Sequence, residues 1–76
     1  ATVQISKTSG LAGIAYWINQ TYGLEGDRKL DKKSPLVIAM KEWVDQQYED
    51  GRQTVMTERE LKEKIRQLAP DFAERG

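Results

Sequence analysis

Apolar residues recur along the chain at spacings of three and four, the pattern of amphipathic α-helices. This periodicity predicts three helices, over residues 10–22, 35–49 and 58–68. The residues expected on the inner stripes are, in chain order, Leu11, Ile14, Ala15, Ile18, Tyr22, Val37, Met40, Val44, Tyr48, Leu61, Ile65 and Leu68. Trp17, Leu36 and Trp43 are expected beside these stripes. The first of these segments carries no charged residue, although 32% of the chain is charged. We expect so apolar a helix to be buried on most of its faces.

Residues that favour helix ends lie at both ends of the first two segments. Ser9 is placed to cap the first helix, because its hydroxyl can accept a hydrogen bond from an unpaired N–H group of the first turn. Gly23 follows the last periodic residue, where a left-handed glycine commonly ends a helix. Ser34 is expected to cap the second helix, with Pro35 at its first position, where a missing N–H is harmless. Asp50-Gly51 then ends that helix.

The third helix has the strongest local signature of its beginning. Thr57 and Glu60 form a capping box, in which each side chain satisfies a backbone N–H of the other residue. Met56 precedes the cap and Leu61 occupies the fourth helical position, which is the hydrophobic-staple arrangement. Glu60 and Lys64 are spaced for an i,i+4 ion pair.

The segments outside the helices predict an extended arm, two connections and a tail. Val3 and Ile5 alternate with polar residues, which indicates an extended arm over residues 1–7. The connection over residues 25–33 is polar, with Leu30 as its apolar anchor, and residues 54–56 form a short β-prone link. Pro70 is expected to end the third helix near residue 68 and to leave residues 71–76 as a tail held by Phe72. The predicted fold is a small all-α, three-helix domain with a short extended N-terminal arm.

Composition narrows the chemistry that 76 residues can perform. Twelve basic and twelve acidic side chains give a formal net charge of zero, whereas a nucleic-acid module normally shows a basic excess. The chain contains no cysteine and no histidine, so a thiolate zinc site and a histidine base are both excluded. Its apolar runs are shorter than the ~20 residues that span a bilayer, and no cationic signal precedes one. We therefore expect neither nucleic-acid nor membrane binding, and a cytoplasmic location.

Local motifs that suggest binding sites have simpler interpretations. The loop around Asp27 and Asp31 lacks the alternating oxygen ligands of a calcium loop, and its lysines would repel the ion. Gly10 and Gly13 have the spacing of an RNA-clamping loop, but the residues between them are Leu-Ala, which favours close helix packing instead. The carboxylates of the chain are expected on the solvated surface. We predict no catalytic residue and no metal ligand in this chain.

The order of the motifs is more informative than any one of them. Lys7-Thr8-Ser9-Gly10 opens an apolar helix that ends near Tyr22-Gly23-Leu24, and Val55-Met56-Thr57 later leads into a helix with an acidic first turn. This order resembles the segment after the catalytic barrel in the isopropylmalate, homocitrate and citramalate synthases, where the first stretch commonly reads G-K-H-S-G-x-H-A-F. The resemblance covers residues 5–68.

The resemblance implies a role inside a larger enzyme of amino-acid biosynthesis. Those synthases are acyltransferases that condense the acetyl group of acetyl-CoA with a 2-oxo acid, using a divalent metal held by the barrel. Their post-barrel helical segment reaches over the active site of a neighbouring subunit. By this resemblance the chain would be a fragment of a longer chain, with the catalytic barrel of that chain and a second subunit as its partners.

Departures from the family motif limit which roles transfer. Thr8 stands where the family has the histidine of H-S-G, and Ala12 stands at the second histidine, so no catalytic role is carried to either residue. Lys7, Ser9 and Gly10 match the motif. The resemblance implies that these three residues shape a turn near the substrate or a CoA phosphate.

Two functional hypotheses of different classes follow. The first is a non-catalytic accessory helical domain of a synthase-like enzyme, inactive on its own. The second is a stand-alone helical interaction module with Trp17, Trp43 and Tyr48 as its anchors, since aromatic residues dominate binding hot spots. Core packing of these three aromatic residues is the interpretation that the periodicity favours.

Overall fold

The computed structural model describes residues 4–75, and this part of the chain folds into helices joined by short links. The helices are α1 (Leu11–Tyr22), α2 (Pro35–Glu49), α3 (Glu58–Leu68) and α4 (Pro70–Arg75). A single 3₁₀ turn, Gly26–Arg28, lies in the connection between α1 and α2. The all-α fold is confirmed, and the three helices expected from the periodicity lie within one residue of their predicted bounds.

Consecutive helices pack against one another, α1 on α2, α2 on α3 and α3 on α4. The side chains that are almost wholly excluded from solvent come from α1, α2, α3 and the arm, and are Ile5, Ile14, Ile18, Val37, Met40, Val44, Leu61 and Ile65. The helical members of this core were expected on the inner stripes. Apolar residues spaced by three and four therefore face one common core, as the periodicity requires.

The N-terminal arm is joined to the link before α3. Ile5 and Met56 form an isolated antiparallel β-bridge, in which the N–H of Met56 donates to the carbonyl of Ile5 at 2.9 Å. Both side chains are buried, with 1% and 4% of their surface exposed. The arm is thus extended at Ile5, and its other predicted inward residue, Val3, lies outside the described residues.

The tail expected after Pro70 is instead a helix, which corrects the prediction of three helices. Pro70 ends α3 at Leu68, as predicted, but it also begins α4. The reason is that the fixed φ of proline and its missing N–H suit the first position of a helix. Phe72 holds this helix against the domain through an edge-on contact with Tyr22, with ring centroids 5.1 Å apart.

Candidate functional site

The predicted site residues lie in a tight turn immediately before α1. The N–H of Ser9 donates to the carbonyl of Ser6 at 3.0 Å, and the N–H of Ser6 donates to the Ser9 hydroxyl at 2.9 Å. The same hydroxyl lies 3.4 Å from the carbonyl of Gln4. The side chain of Ser9 therefore stabilises the turn, and the prediction that it caps α1 is wrong. Gly10 occupies the N-cap position in an extended conformation.

The N-terminus of α1 carries neither a side-chain cap nor an acidic residue in its first turn. Lys7 and Gly10 are exposed beside it, and Ser9 is half-buried. The N–H groups of a first helical turn are unpaired within the helix and attract anions. Ser9 and Gly10 therefore lie at a helix N-terminus whose chemistry suits a negatively charged group, and Lys7 lies in the turn just before it.

A groove of about 570 Å³ lies between the C-terminal half of α1, the arm at Gln4 and Ile5, and the link before α3. None of the predicted site residues Lys7, Ser9 and Gly10 lines it. Its floor consists of buried apolar side chains, those of Ile5, Trp17, Met56 and Leu61. Tyr16 and Val55 stand at its rim with 49% and 44% of their surfaces exposed. The periodicity places Trp17 in the core correctly, but the groove itself depends on how three separate segments meet.

Arg52 fixes the link that forms one wall of the groove. Its guanidinium donates to the carbonyls of Thr54 and Val55 at 3.1 and 2.9 Å. It also binds both carboxylate oxygens of Glu60, at 2.5 and 2.6 Å. A bidentate arginine–carboxylate pair fixes orientation as well as distance. Sequence reasoning missed Arg52, because its partner lies eight residues away and outside any helical spacing.

Glu60 belongs both to the capping box with Thr57, which was predicted, and to the ion pair with Arg52, which was not. It accepts the N–H of Thr57 at 3.1 Å while Thr57 accepts the N–H of Glu60, so the capping box is confirmed. The hydrogen bonds from Arg52, followed by those from Thr57, lower the pKa of Glu60 from 4.5 to about 2. The predicted Glu60–Lys64 pair is wrong, because Arg52 takes the carboxylate and Lys64 lies over the ring of Trp43, 5.7 Å from its centroid.

Asn19 is a second residue that local pattern did not reveal. Its side-chain amide donates to the carbonyl of Leu30 at 2.9 Å, and its oxygen accepts the N–H of Leu30 at 2.8 Å. Leu30 packs against the core, so its predicted anchoring role is confirmed. The Asn19–Leu30 pair holds the connection between α1 and α2 against the end of α1.

The proposed aromatic anchors of an interaction module are not the exposed ones. Trp17 is 7% exposed and belongs to the core, while Trp43 and Tyr48 are half-buried. The hydroxyl of Tyr48 donates to the carbonyl of Thr54 at 2.6 Å, which ties α2 to the link before α3. The large apolar side chain that α1 presents to solvent is Tyr16, one residue before the expected anchor.

The described residues do not fit a metal centre. Within residues 4–75, no three acidic side chains are close enough together to hold an ion. None of the helices in this part of the chain has the length and apolar character that crossing a bilayer requires.

The fold is a small all-α domain in which α1 has an uncapped N-terminus, and an open groove runs along the C-terminal half of the same helix. The chain is similar to citrate (Re)-synthase of Syntrophus aciditrophicus (strain SB), with 43% identity over 68 residues, and the match covers 90% of this chain. It is also similar to citrate (Re)-synthase of Clostridium kluyveri, with 37% identity over 73 residues and 96% of this chain covered. Citrate (Re)-synthases are members of the isopropylmalate, homocitrate and citramalate synthase family.

These relatives are much longer than the matched segment. The chain spans 11% of the length of the Syntrophus protein and 16% of the length of the Clostridium protein. No protein-family model matches the chain. No solved structure matches it either. The similarity therefore relates this chain to one part of a condensing enzyme.

Proposed function

We propose that the chain is a non-catalytic helical accessory segment of a citrate (Re)-synthase-like condensing enzyme. The observation that carries this proposal is the 43% and 37% identity over nearly the whole chain to a small part of two such enzymes. The parent enzyme would join the acetyl group of acetyl-CoA to a 2-oxo acid, with its divalent metal held by a catalytic barrel elsewhere in the longer chain. That barrel and a second subunit would be the partners, in the cytoplasm.

The names of the relatives favour citrate as the product over the products of amino-acid biosynthesis. Both relatives are citrate (Re)-synthases, whereas the motif order alone pointed equally to isopropylmalate, homocitrate and citramalate synthases. We therefore propose that the parent enzyme forms citrate.

The chemistry of the described residues supports an accessory role. Thr8 and Ala12 cannot act as the general base that a histidine provides. Lys7, Ser9 and Gly10 would instead position a negatively charged group, such as a phosphate of CoA, at the N-terminus of α1. Backbone N–H groups and a nearby lysine are well suited to binding phosphate.

The experiment that tests the proposal uses a grafted enzyme. In this grafted enzyme the matching 68-residue segment of the Syntrophus protein is replaced by the present chain. We expect citrate formation from acetyl-CoA and a 2-oxo acid by the grafted enzyme, and none by the isolated chain. Condensation by the isolated chain would contradict the accessory role.

A matched pair of substitutions in the grafted enzyme tests the turn. Lys7→Ala is expected to raise the KM for acetyl-CoA by about fivefold, because a phosphate would lose one charge-assisted contact of about 1 kcal/mol. Lys29→Ala, which removes an exposed lysine from the connection between α1 and α2, is the control. Equal KM values for the two variants would contradict a role of Lys7 in binding CoA.

The second candidate function is a stand-alone interaction module, which the exposure of Tyr16 and Val55 favours. In that case the anchors would be these two residues and not Trp17. Acrylamide quenching separates the two sets of anchors. In a Trp43→Phe variant the remaining emission comes from Trp17, which is expected to be protected, and strong quenching would restore Trp17 as a surface anchor.

A further inference from the structure

The outer face of α1 differs from the outer faces of α2 and α3 in its charge. Ala12, Tyr16 and Gln20 are exposed on α1, and the helix has no charged residue anywhere along its length. The exposed positions of α3 carry mainly Glu, Lys and Arg, and those of α2 include Glu42, Asp45 and Glu49. A surface helix normally carries charged and polar residues on its solvent side. The exposed face of α1 lacks the charged residues and has Gln20 as its polar residue.

The groove extends this uncharged surface sideways. Tyr16 and Gln20, whose side chains are joined by a 3.0 Å hydrogen bond, line the groove. They also line a smaller hollow of about 200 Å³, where Glu25 and Lys29 bring charge and mark the edge of the uncharged surface. Val55 stands across the groove from Tyr16 and Gln20. Among the described residues that line the groove, Glu58 alone is charged, and it is paired with Lys62 at 3.1 Å. We define the α1 face as Ala12, Tyr16, Gln20 and Val55.

Desolvation favours the α1 face over the other faces as an interface. Burying a charged side chain without a partner is costly, whereas burying tyrosine and valine is favourable. Interface centres are correspondingly poor in charge and rich in aromatic residues. A volume of about 570 Å³ is also large enough to accept apolar side chains from a second segment.

We propose that the α1 face is the surface by which this segment docks on the remaining chain of the condensing enzyme. This inference rests on the proposed function. The occupant is an uncharged, apolar segment of that remaining chain, with side chains that enter the groove between Tyr16 and Val55. In the two relatives the matched segment is 11% and 16% of the protein, so most of the parent enzyme lies outside it and is available to cover this face.

The test places one new negative charge on each face in turn. Tyr16→Glu and Val55→Glu alter the α1 face, and Gln67→Glu makes the same change of charge on the exposed face of α3. In the isolated chain all three variants are expected to unfold within about 3 °C of the unaltered chain, because each position is exposed. Circular dichroism checks this before any graft is made.

In the grafted enzyme the three variants are expected to separate. Tyr16→Glu and Val55→Glu should increase the rate at which trypsin releases the segment by about tenfold, since an unpaired charge would have to be buried on docking. Gln67→Glu should leave that rate unchanged. Equal release rates for all three variants in an active grafted enzyme would overturn the docking face and leave the proposed function standing.

Two further outcomes would show that a second copy of this chain covers the α1 face, or that the proposed function is wrong. If the isolated chain sediments as a dimer that Tyr16→Glu dissociates, the occupant is a second copy of this chain and the inference is overturned. If the grafted enzyme is inactive and releases the unaltered segment as fast as the variants, while the intact Syntrophus protein is active, the proposed function itself fails. A monomeric isolated chain together with the separation of the variants supports both.

Discussion

Single side chains hold the links of this domain by bonding to backbone groups of the links. Arg52 binds the carbonyls of Thr54 and Val55, and Asn19 binds both backbone groups of Leu30. Backbone groups of loops need such partners when they are withdrawn from water. These contacts therefore determine where the wall of the groove and the connection between α1 and α2 lie.

Removal of the Asn19 amide should loosen that connection. Asn19→Ala leaves the N–H and carbonyl of Leu30 without their partners, and we expect a loss of about 1–2 kcal/mol in the free energy of unfolding. Gln20→Ala is the control, because the Gln20 amide bonds to the exposed hydroxyl of Tyr16 and its loss should change stability by less than about 0.5 kcal/mol. Urea denaturation measures both, and similar values for the two variants would contradict the account of Asn19.

The Arg52–Glu60 pair makes stability depend on pH in the acid range. Folding lowers the pKa of Glu60 from 4.5 to about 2, so the stabilisation is fully present above pH 4.5, declines below it and is lost as the pH falls through 2. Because 36% of the Glu60 side chain is exposed, we expect only about 1 kcal/mol from it at neutral pH.

Glu60→Gln tests this dependence. The variant should be less stable than the unaltered chain at pH 6, and the difference should narrow steadily as the pH falls from 4.5 to 2, as measured by urea denaturation at each pH. Glu63→Gln, whose carboxylate pairs with Arg66 on the open surface, is the control. A gap between Glu60→Gln and the unaltered chain that stays constant from pH 6 to pH 2 would disprove the assignment.

Contacts between residues at a fixed, short spacing could be predicted from the sequence, whereas contacts between residues farther apart could not. Thr57 and Glu60 were predicted to pair, because the capping box has a fixed local spacing. Arg52 meets Glu60 because the link between α2 and α3 turns back, and Asn19 meets Leu30 because the connection after α1 does the same. Such pairs have no fixed spacing along the sequence, so local sequence patterns cannot predict them.

At the scale of elements, glycine and proline determine where the helices end. Gly23 has a φ of 63°, in the left-handed region, and the N–H of Leu24 donates to the carbonyl of Asn19 at 2.9 Å. Leu24 is buried beneath this turn. The arrangement is that of a Schellman ending, and Gly23 was correctly predicted to end α1.

Two glycine substitutions on α1 should have effects of opposite sign. Gly23→Ala is expected to destabilise the chain by about 1 kcal/mol, because alanine is strained in the left-handed conformation. Gly13→Ala, within the helix and with no neighbour in the way of a new Cβ, should stabilise it by about 0.5–1 kcal/mol. Thermal unfolding compares the two, and a Gly23→Ala variant as stable as Gly13→Ala would contradict this account of the helix end.

The contact between Phe72 and Tyr22 should account for most of the attachment of α4. Phe72→Ala is expected to lower the free energy of unfolding by about 1–2 kcal/mol, from lost burial and a lost aromatic contact. Leu68→Ala, at a site that is 42% exposed, should have the smaller effect. The reverse order in urea denaturation would show that α4 is held in another way.

The positions of the helix starts were predicted, but the capping role of two serines was predicted wrongly, for a physical reason. Ser9 and Ser34 both stand where a capping serine was expected, yet neither hydroxyl caps its helix. The hydroxyl of Ser34 accepts the N–H of Asp31 at 3.0 Å, and that of Ser9 accepts the N–H of Ser6. A serine hydroxyl can serve a preceding turn or a following helix, and sequence alone does not decide between them.

On the scale of the whole molecule, the sequence predicted the burial of the inner face of α1 but did not predict the exposed, uncharged surface on its outer face. The lack of charge in α1 predicted burial, and Ile14, Ala15, Trp17 and Ile18 are indeed buried. The same lack of charge extends to its outer face, where the groove meets Tyr16. That face became visible only once the arm, α1 and the link before α3 were brought together, because no local motif contains them all.

The most direct measurement of the central claim is the rate of citrate formation by the grafted enzyme. Two controls are needed, the Syntrophus protein without its 68-residue segment and the same protein with an unrelated helical domain of similar length in its place. If the chain is the accessory segment of such an enzyme, the grafted enzyme should exceed both controls by at least about tenfold in kcat/KM. A grafted enzyme no more active than the version with the unrelated domain would contradict the claim.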